Sequence, residues 1–112
     1  MVTNKTANAL REVVAERVAQ DGRWGVQNHP DRALLALDVW SFHHGMDAAD
    51  WKARNATRAS RGELAWDGIL LEEVFEACAE TDPVKIREEL VQVAAVAVAW
   101  IEALDRRAAG AL

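Results

Sequence analysis

The segment Leu70–Glu80, LLEEVFEACAE, carries the carboxylates Glu72, Glu73, Glu76 and Glu80 at spacings that a helix gathers on one side. At about 100° per residue they share one arc, and Leu70, Leu71, Val74, Phe75 and Cys78 fill the other side. Like charges one turn apart repel, and no lysine is interleaved among them. The segment Arg87–Trp100, REELVQVAAVAVAW, carries Glu89 and Gln92 three residues apart, and Gln92 is the only polar side chain from Leu90 to Ile101. A carboxylate in apolar surroundings is costly unless it is paired, hydrogen-bonded or bound to a metal. Acids from two packed helices are one way an all-helical protein holds a hard divalent cation such as Mg2+, which prefers oxygen ligands. A blander account also fits: a solvated acidic face over a core stripe, with Glu89 near a helix start and paired to Lys85.

The elements that must position these acids are helices. Alanine is abundant, prolines occur only at 30 and 83, and no alternating strand pattern is present. The spacing of Leu10, Val13, Val14 and Val18 predicts a first helix from about Ala7 to Gln20, ended by Asp21-Gly22. Arg23–Pro30 reads as a structured loop. A second helix is expected from Asp31 to about His43, with Gly45 as its break, and a third over Asp47–Ala59. Ser60-Arg61-Gly62 reads as a turn, and the acidic helix spans about Ala65 to Glu80. Asp82-Pro83 is a start signal, an N-cap acid followed by proline at the first helical position. It opens a last helix that runs to about Arg107, with basic residues in its final turn.

The connection between the last two helices is only about three residues long and forces an antiparallel hairpin. Glu73 and Glu76 then face Glu89 and Gln92 as a two-helix cage of oxygen ligands. A helix that is apolar all round is buried all round, which a chain of 112 residues cannot easily achieve alone. The last helix is therefore expected to make a subunit interface. The expected fold is all-α: one domain over residues 1–112, four to five helices in an antiparallel bundle completed by dimerisation.

Composition narrows the function classes. Half of the residues are apolar, which argues against disorder, and a net charge of −5 argues against general nucleic-acid or membrane affinity. The single cysteine, Cys78, excludes an internal disulfide and fits a reducing compartment. The N-terminus lacks the apolar core of a signal peptide, and the longest apolar run is too short to span a bilayer. The expectation is a cytoplasmic protein with no membrane or nucleic-acid partner.

The pattern Glu72-Glu73-x-x-Glu76, followed by Glu88-Glu89-Leu90-x-Gln92, resembles the MazG-like members of the all-α nucleoside triphosphate pyrophosphohydrolase superfamily, whose helices carry EExxE and then ExxD. Residues 64–107 are most similar to a small phage and actinobacterial branch, through the blocks Trp66–Ala77 and Glu89–Leu104. The block Glu16–Gln20 and the run Trp24-Gly25-x-Gln27-x-His29-Pro30 are similar to the same branch, while residues 31–60 match weakly. The resemblance implies cleavage of a nucleoside triphosphate between its α and β phosphates, with Mg2+ (Mn2+ as a substitute) and a homodimer or dimer of dimers. It implies Glu73, Glu76 and Glu89 as metal ligands and Glu72 as an outer ligand or water-orienting group. Gln92 stands where the family has aspartate. Its amide oxygen can coordinate a metal, but it removes one negative charge and cannot act as a base. That departure leaves a second reading open: a weak or inactive MazG-like helical dimer that binds a nucleotide or a protein partner.

Metal-assisted hydrolysis needs a proton acceptor, for which Glu72 or Glu76 is available, and cations for the leaving pyrophosphate. Lys52 is the first candidate for that charge, with Arg54 and Arg58 behind it; a solvated, charge-balanced helix also accounts for the arginines. Trp24 either stacks on a base whose edge Gln20 and Gln27 read, or packs under its loop while the amides cap the helix and bond the backbone. His29 is expected to bond within the loop. His43 and His44 are adjacent on a helix, so they form a poor chelating pair. Trp40, Trp51 and Trp66 are expected in the core or an interface, and Cys78 has no base to make it a nucleophile.

Overall fold

The computed structural model describes residues 3–32 and 37–110, with side chains from residue 42 in the second stretch. Among these residues there are four α-helices and no strand: α1 (Asn4–Trp24), α2 (Leu37–Ser60), α3 (Trp66–Ala79) and α4 (Pro83–Ala108). The expectation for Trp40 lies outside the described residues. So does most of the expected start of the second helix, apart from a bend at Asp31 and Arg32. No helix of the described residues is long and apolar enough to cross a membrane. The chain divides into two compact units, Met1–Asp31 with Val98–Leu112, and Arg32–Ala97.

In the first unit, α1 starts at Thr3, whose hydroxyl accepts the backbone N–H of Thr6 at 3.1 Å. The Thr6 hydroxyl donates to Glu102 Oε1 at 2.8 Å, tying the start of α1 to the last turns of α4. Ala9, Val98 and Ala103 are the buried apolar residues here. Gly22 does not stop α1, contrary to expectation. The helix continues to Trp24, and it is Gly25, at φ 66°, that takes the left-handed position and donates its N–H to the Asp21 carbonyl. A helix-interior glycine costs only about 1 kcal/mol, too little to end a helix whose next turns continue to bond.

The second unit is built on the antiparallel pair α2–α3. Arg58 meets Asp67, Asn55 meets Gly68 and Glu72, and His44 stacks on Phe75, so the register descends α2 as it climbs α3. Gly45 does not break α2: the predicted second and third helices are one. The face of α2 that carries His44, Ala48, Trp51 and Asn55 lies along α3, and its burial outweighs the propensity cost of one glycine. The turn after α2 is a Schellman motif. Glu63 N–H bonds the Arg58 carbonyl at 2.7 Å, Gly62 N–H bonds the Ala59 carbonyl at 3.1 Å, and Gly62 sits at φ 70°.

The connection from α3 to α4 follows the Asp82-Pro83 signal. Asp82 Oδ1 accepts the Val84 N–H at 3.1 Å, and Pro83 is the first residue of α4. At this same C-terminal end of α3, Arg32 donates from Nε and Nη2 to the Cys78 carbonyl at 3.0 and 2.7 Å. Along the first half of α4, Ile86, Glu89, Val93, Val96 and Ala97 are half-buried, while Leu90, Val91, Gln92, Ala94 and Ala95 are exposed. The expectation that this helix is buried all round, with Gln92 in apolar surroundings, is not met within the chain. Only one face of this first half of α4 is covered, and Gln92 lies off that face.

Candidate metal centre

Helix α3 is long enough to hold Glu72, Glu73 and Glu76 on adjacent turns, and α2 meets the first of them through Asn55. One carboxylate oxygen from each of the three lies within 4.8 Å of the others, and all three side chains are half-buried. Burial pushes the Glu73 carboxyl above the ordinary carboxylate range, and the charges of Glu89 and Glu72 push it further. Glu76 is raised for the same reasons: burial first, then the charges of Glu73, Glu72 and Glu89, against a smaller opposing pull from Lys52. Glu89, on α4, and Lys52, on α2, therefore both stand close enough for their charge to act on the cluster. A concentration of negative charge that burial penalises is relieved by a proton or by a cation. Three carboxylates with no sulfur or imidazole among them make an all-oxygen donor set, which suits a hard ion such as Mg2+.

Glu80 shares the helical arc of these acids but is not part of the cluster. Its Oε1 accepts the backbone N–H groups of Thr81, at 3.0 Å, and Asp82, at 3.2 Å. Those two bonds hold its carboxyl below the ordinary range. Its position at the C-terminal end of α3 makes it a brace for the turn.

The residue that sequence reasoning missed is Asn55. It is buried at 8% exposure, and its Nδ2 donates to both the Gly68 carbonyl and Glu72 Oε1, each at 2.9 Å. Its Oδ1 has no hydrogen-bond partner among the described residues. The available signal was positional: Ala48, Trp51 and Asn55 recur at three- and four-residue spacing along one stripe, and an asparagine in a core stripe calls for a polar partner on the facing helix.

The other candidates are placed as follows. Gln92 is exposed. Arg54 lies 5.1 Å from the centre of the Trp51 ring and 3.8 Å from Asp50. Arg58 stacks over the same ring at 5.3 Å and bonds Asp67 at 2.9 Å, next to the Schellman turn. Asp67 also accepts the Gly68 N–H, and the two bonds, that backbone one foremost, hold its carboxyl low. Trp51 and Trp66 are half-buried, and Cys78 is exposed and free.

Gln20, Trp24 and Gln27 belong to the first unit, the acids to the second. Trp24 is 58% exposed, with Arg23 5.0 Å from its ring centre. With Val26, Gln27, Asn28 and His29 it lines a cavity of about 470 Å³. His29 Nε2 and Gln27 Oε1 are hydrogen-bonded at 2.9 Å across that loop. The Gln20 side chain accepts from Arg17 at 2.9 Å and donates to Glu16 at 3.4 Å.

The pKa directions set a pH dependence. A carboxyl whose folded-state pKa lies above its unfolded value favours folding while protonated. For Glu73 and Glu76 that contribution is complete below the ordinary value of 4.5 and is lost as pH rises through their raised folded values. Asp67 and Glu80 act in the opposite sense and in a lower window, since their contribution is lost as pH falls through their depressed values. The metal-free protein is expected to lose thermal stability as pH rises from about 4.5 towards neutrality. Melting followed by circular dichroism in EDTA checks this. A loss that is undiminished in a Glu73→Gln/Glu76→Gln double variant would remove these two acids as its origin.

Comparison with protein-family models, curated proteins and solved structures gives no match to this chain.

Proposed function

We propose that this chain is a Mg2+-dependent nucleoside triphosphate pyrophosphohydrolase of the MazG-like type, acting on a ribo- or deoxyribonucleoside triphosphate. The observation that carries the reading is the convergence of Glu72, Glu73 and Glu76 within 4.8 Å, with the charge of Glu89 acting on the cluster from α4. The resemblance of the two acidic blocks to that family supplies the choice of reaction.

Glu73 and Glu76 would hold the ion, with Glu72 and Glu89 beside them. Bound there, a divalent cation would supply counter-charge for phosphate oxygens and a water of lowered pKa. Glu72 or Glu76 accepts the proton of the water that attacks the α phosphorus, as the bond to the bridging oxygen breaks and pyrophosphate departs. Lys52, already within electrostatic reach of Glu76, balances the charge of the departing group. Arg54 and Arg58 provide further positive charge on the same helix. The exposed apolar residues Leu90 and Val91 of α4 suit a second copy of the chain, as a homodimer or within a dimer of dimers. A free thiol at Cys78 agrees with a cytoplasmic setting.

Gln92 favours a second reading. It is neutral and exposed, so α4 brings one acid, Glu89, where the family has two. A cluster short of that charge binds a nucleotide–metal complex without turning it over. Incubation with Mg2+ and a panel of ribo- and deoxyribonucleoside triphosphates separates the two. Release of pyrophosphate with the monophosphate supports the enzyme, binding without release supports the second reading, and the absence of both removes the two together.

A further inference from the structure

Asn55 is buried and polar, and its hydrogen bonds are unequally met. Its amide nitrogen is fully used, one hydrogen to the Gly68 carbonyl and one to Glu72 Oε1, while the amide oxygen has no partner among the described residues. A side chain that served only to fill the α2–α3 contact would do better as an apolar residue, because an unmet buried acceptor costs about 1–3 kcal/mol. The arrangement makes sense if the amide acts on Glu72. The Gly68 carbonyl, one turn before Glu72 on α3, fixes the plane of the amide. The second N–H then fixes the orientation of the Glu72 carboxylate, which is otherwise free to turn about its long side chain. The first hydrogen bond works as a reference point in the backbone and the second transmits it to the acid cluster.

We propose that Asn55 is the positioning residue of the acid cluster, holding Glu72 in the orientation that lets it join Glu73 and Glu76 around one divalent cation. The inference rests on the metal-binding reading of that cluster and adds to it a residue on a different helix. Asn55 touches neither ion nor substrate; it acts through Glu72. Its identity matters because only a side chain with two donors of this reach serves both acceptors at once. Serine has one donor and is too short, and aspartate would set a second carboxylate against Glu72.

The test is Mn2+ affinity, measured by calorimetry on the full chain at a temperature where circular dichroism finds each variant folded. Asn55→Ala is expected to weaken Mn2+ binding by about 10–100-fold. In a Glu72→Gln background the same substitution is expected to change the affinity no further, because the group it acts through is already altered. A purely structural Asn55 would lower the melting temperature of both backgrounds and leave the affinity unchanged. Equal affinity of Asn55→Ala and the wild type overturns the positioning role and leaves the metal reading standing, as does an equal loss in both backgrounds. Wild-type protein that binds no Mn2+, or that binds it equally well as Glu73→Ala, overturns the metal reading and this inference with it. If Asn55→Ala does not fold, the side-chain amide signal of Asn55 in wild-type protein decides. A shift on Mg2+ addition, with the midpoint of the overall titration, supports the role, and a signal that stays in place overturns it.

Discussion

Glu73→Gln and Glu76→Gln are each expected to lower Mg2+-dependent release of pyrophosphate by about 10²–10³-fold, the usual cost of removing one preorganised electrostatic group from a reacting site. Both substitutions keep the volume and the helix propensity of the side chain. What they remove is charge, and charge is what the cluster has in excess. Burial and neighbouring acids already raise the carboxyls of Glu73 and Glu76. The metal-free variants are therefore expected to be more stable than the wild type at neutral pH, by roughly half a kcal/mol, or about 2–4 °C in melting temperature. Added Mg2+ is expected to raise the melting temperature of the wild type and not that of either variant. Loss of activity together with gain of stability is the signature of a site that keeps unfavourable charge for use. Turnover that survives both substitutions would take these acids out of the reaction. Glu63→Gln, an exposed position outside the cluster, is the charge control.

Gly68→Ala is expected to destabilise the protein by about 3 kcal/mol, lowering the melting temperature by more than about 10 °C. The usual rule runs the other way, since alanine in a helix interior is favoured over glycine by about 1 kcal/mol. Here the new methyl would collide with the amide oxygen of Asn55 and stand 3.0 Å from Arg58 Nη1 and 3.2 Å from the Trp51 ring. No single side chain can step aside. Asn55 is held by two hydrogen bonds, Arg58 is held by Asp67, and Trp51 is packed under the arginines. The helices must separate, which breaks the Asn55 bonds to Gly68 and Glu72 together. A Gly68→Ala protein that melts at or above the wild-type temperature would mean that α2 and α3 do not approach as closely as described. Asn55→Ala opens the space the methyl needs, so the double variant is expected to lose less than the sum of the two single losses.

Much of the helical framework is legible in local chemistry. Asp82-Pro83 marks the start of α4 because a carboxylate can cap and a proline needs no partner for its missing N–H, whatever the helix packs against. Gly62 ends the turn after α2 because a left-handed residue closes a Schellman motif there. Gly22 and Gly45 misled for the opposite reason. Neither needs a positive φ; helical bonding carried α1 past Gly22, and helical bonding with packing against α3 carried α2 past Gly45. Cluster membership was only partly readable. A helical wheel groups Glu72, Glu73, Glu76 and Glu80 alike, yet the end of α3 turns Glu80 to the backbone of the next turn.

The all-helical class, most helix ends and the acidic stripe on α3 follow from interactions between residues a few positions apart, and so they can be read along the chain. Packing between helices is what brings Asn55 to Glu72, denies Gly68 a side chain, sets Lys52 and Glu89 within electrostatic reach of the stripe and leaves Gln92 exposed. A helical wheel gives only the direction of a side chain about its own helix axis. The register and the covered face of each neighbouring helix, on which these contacts depend, follow from packing across the whole unit.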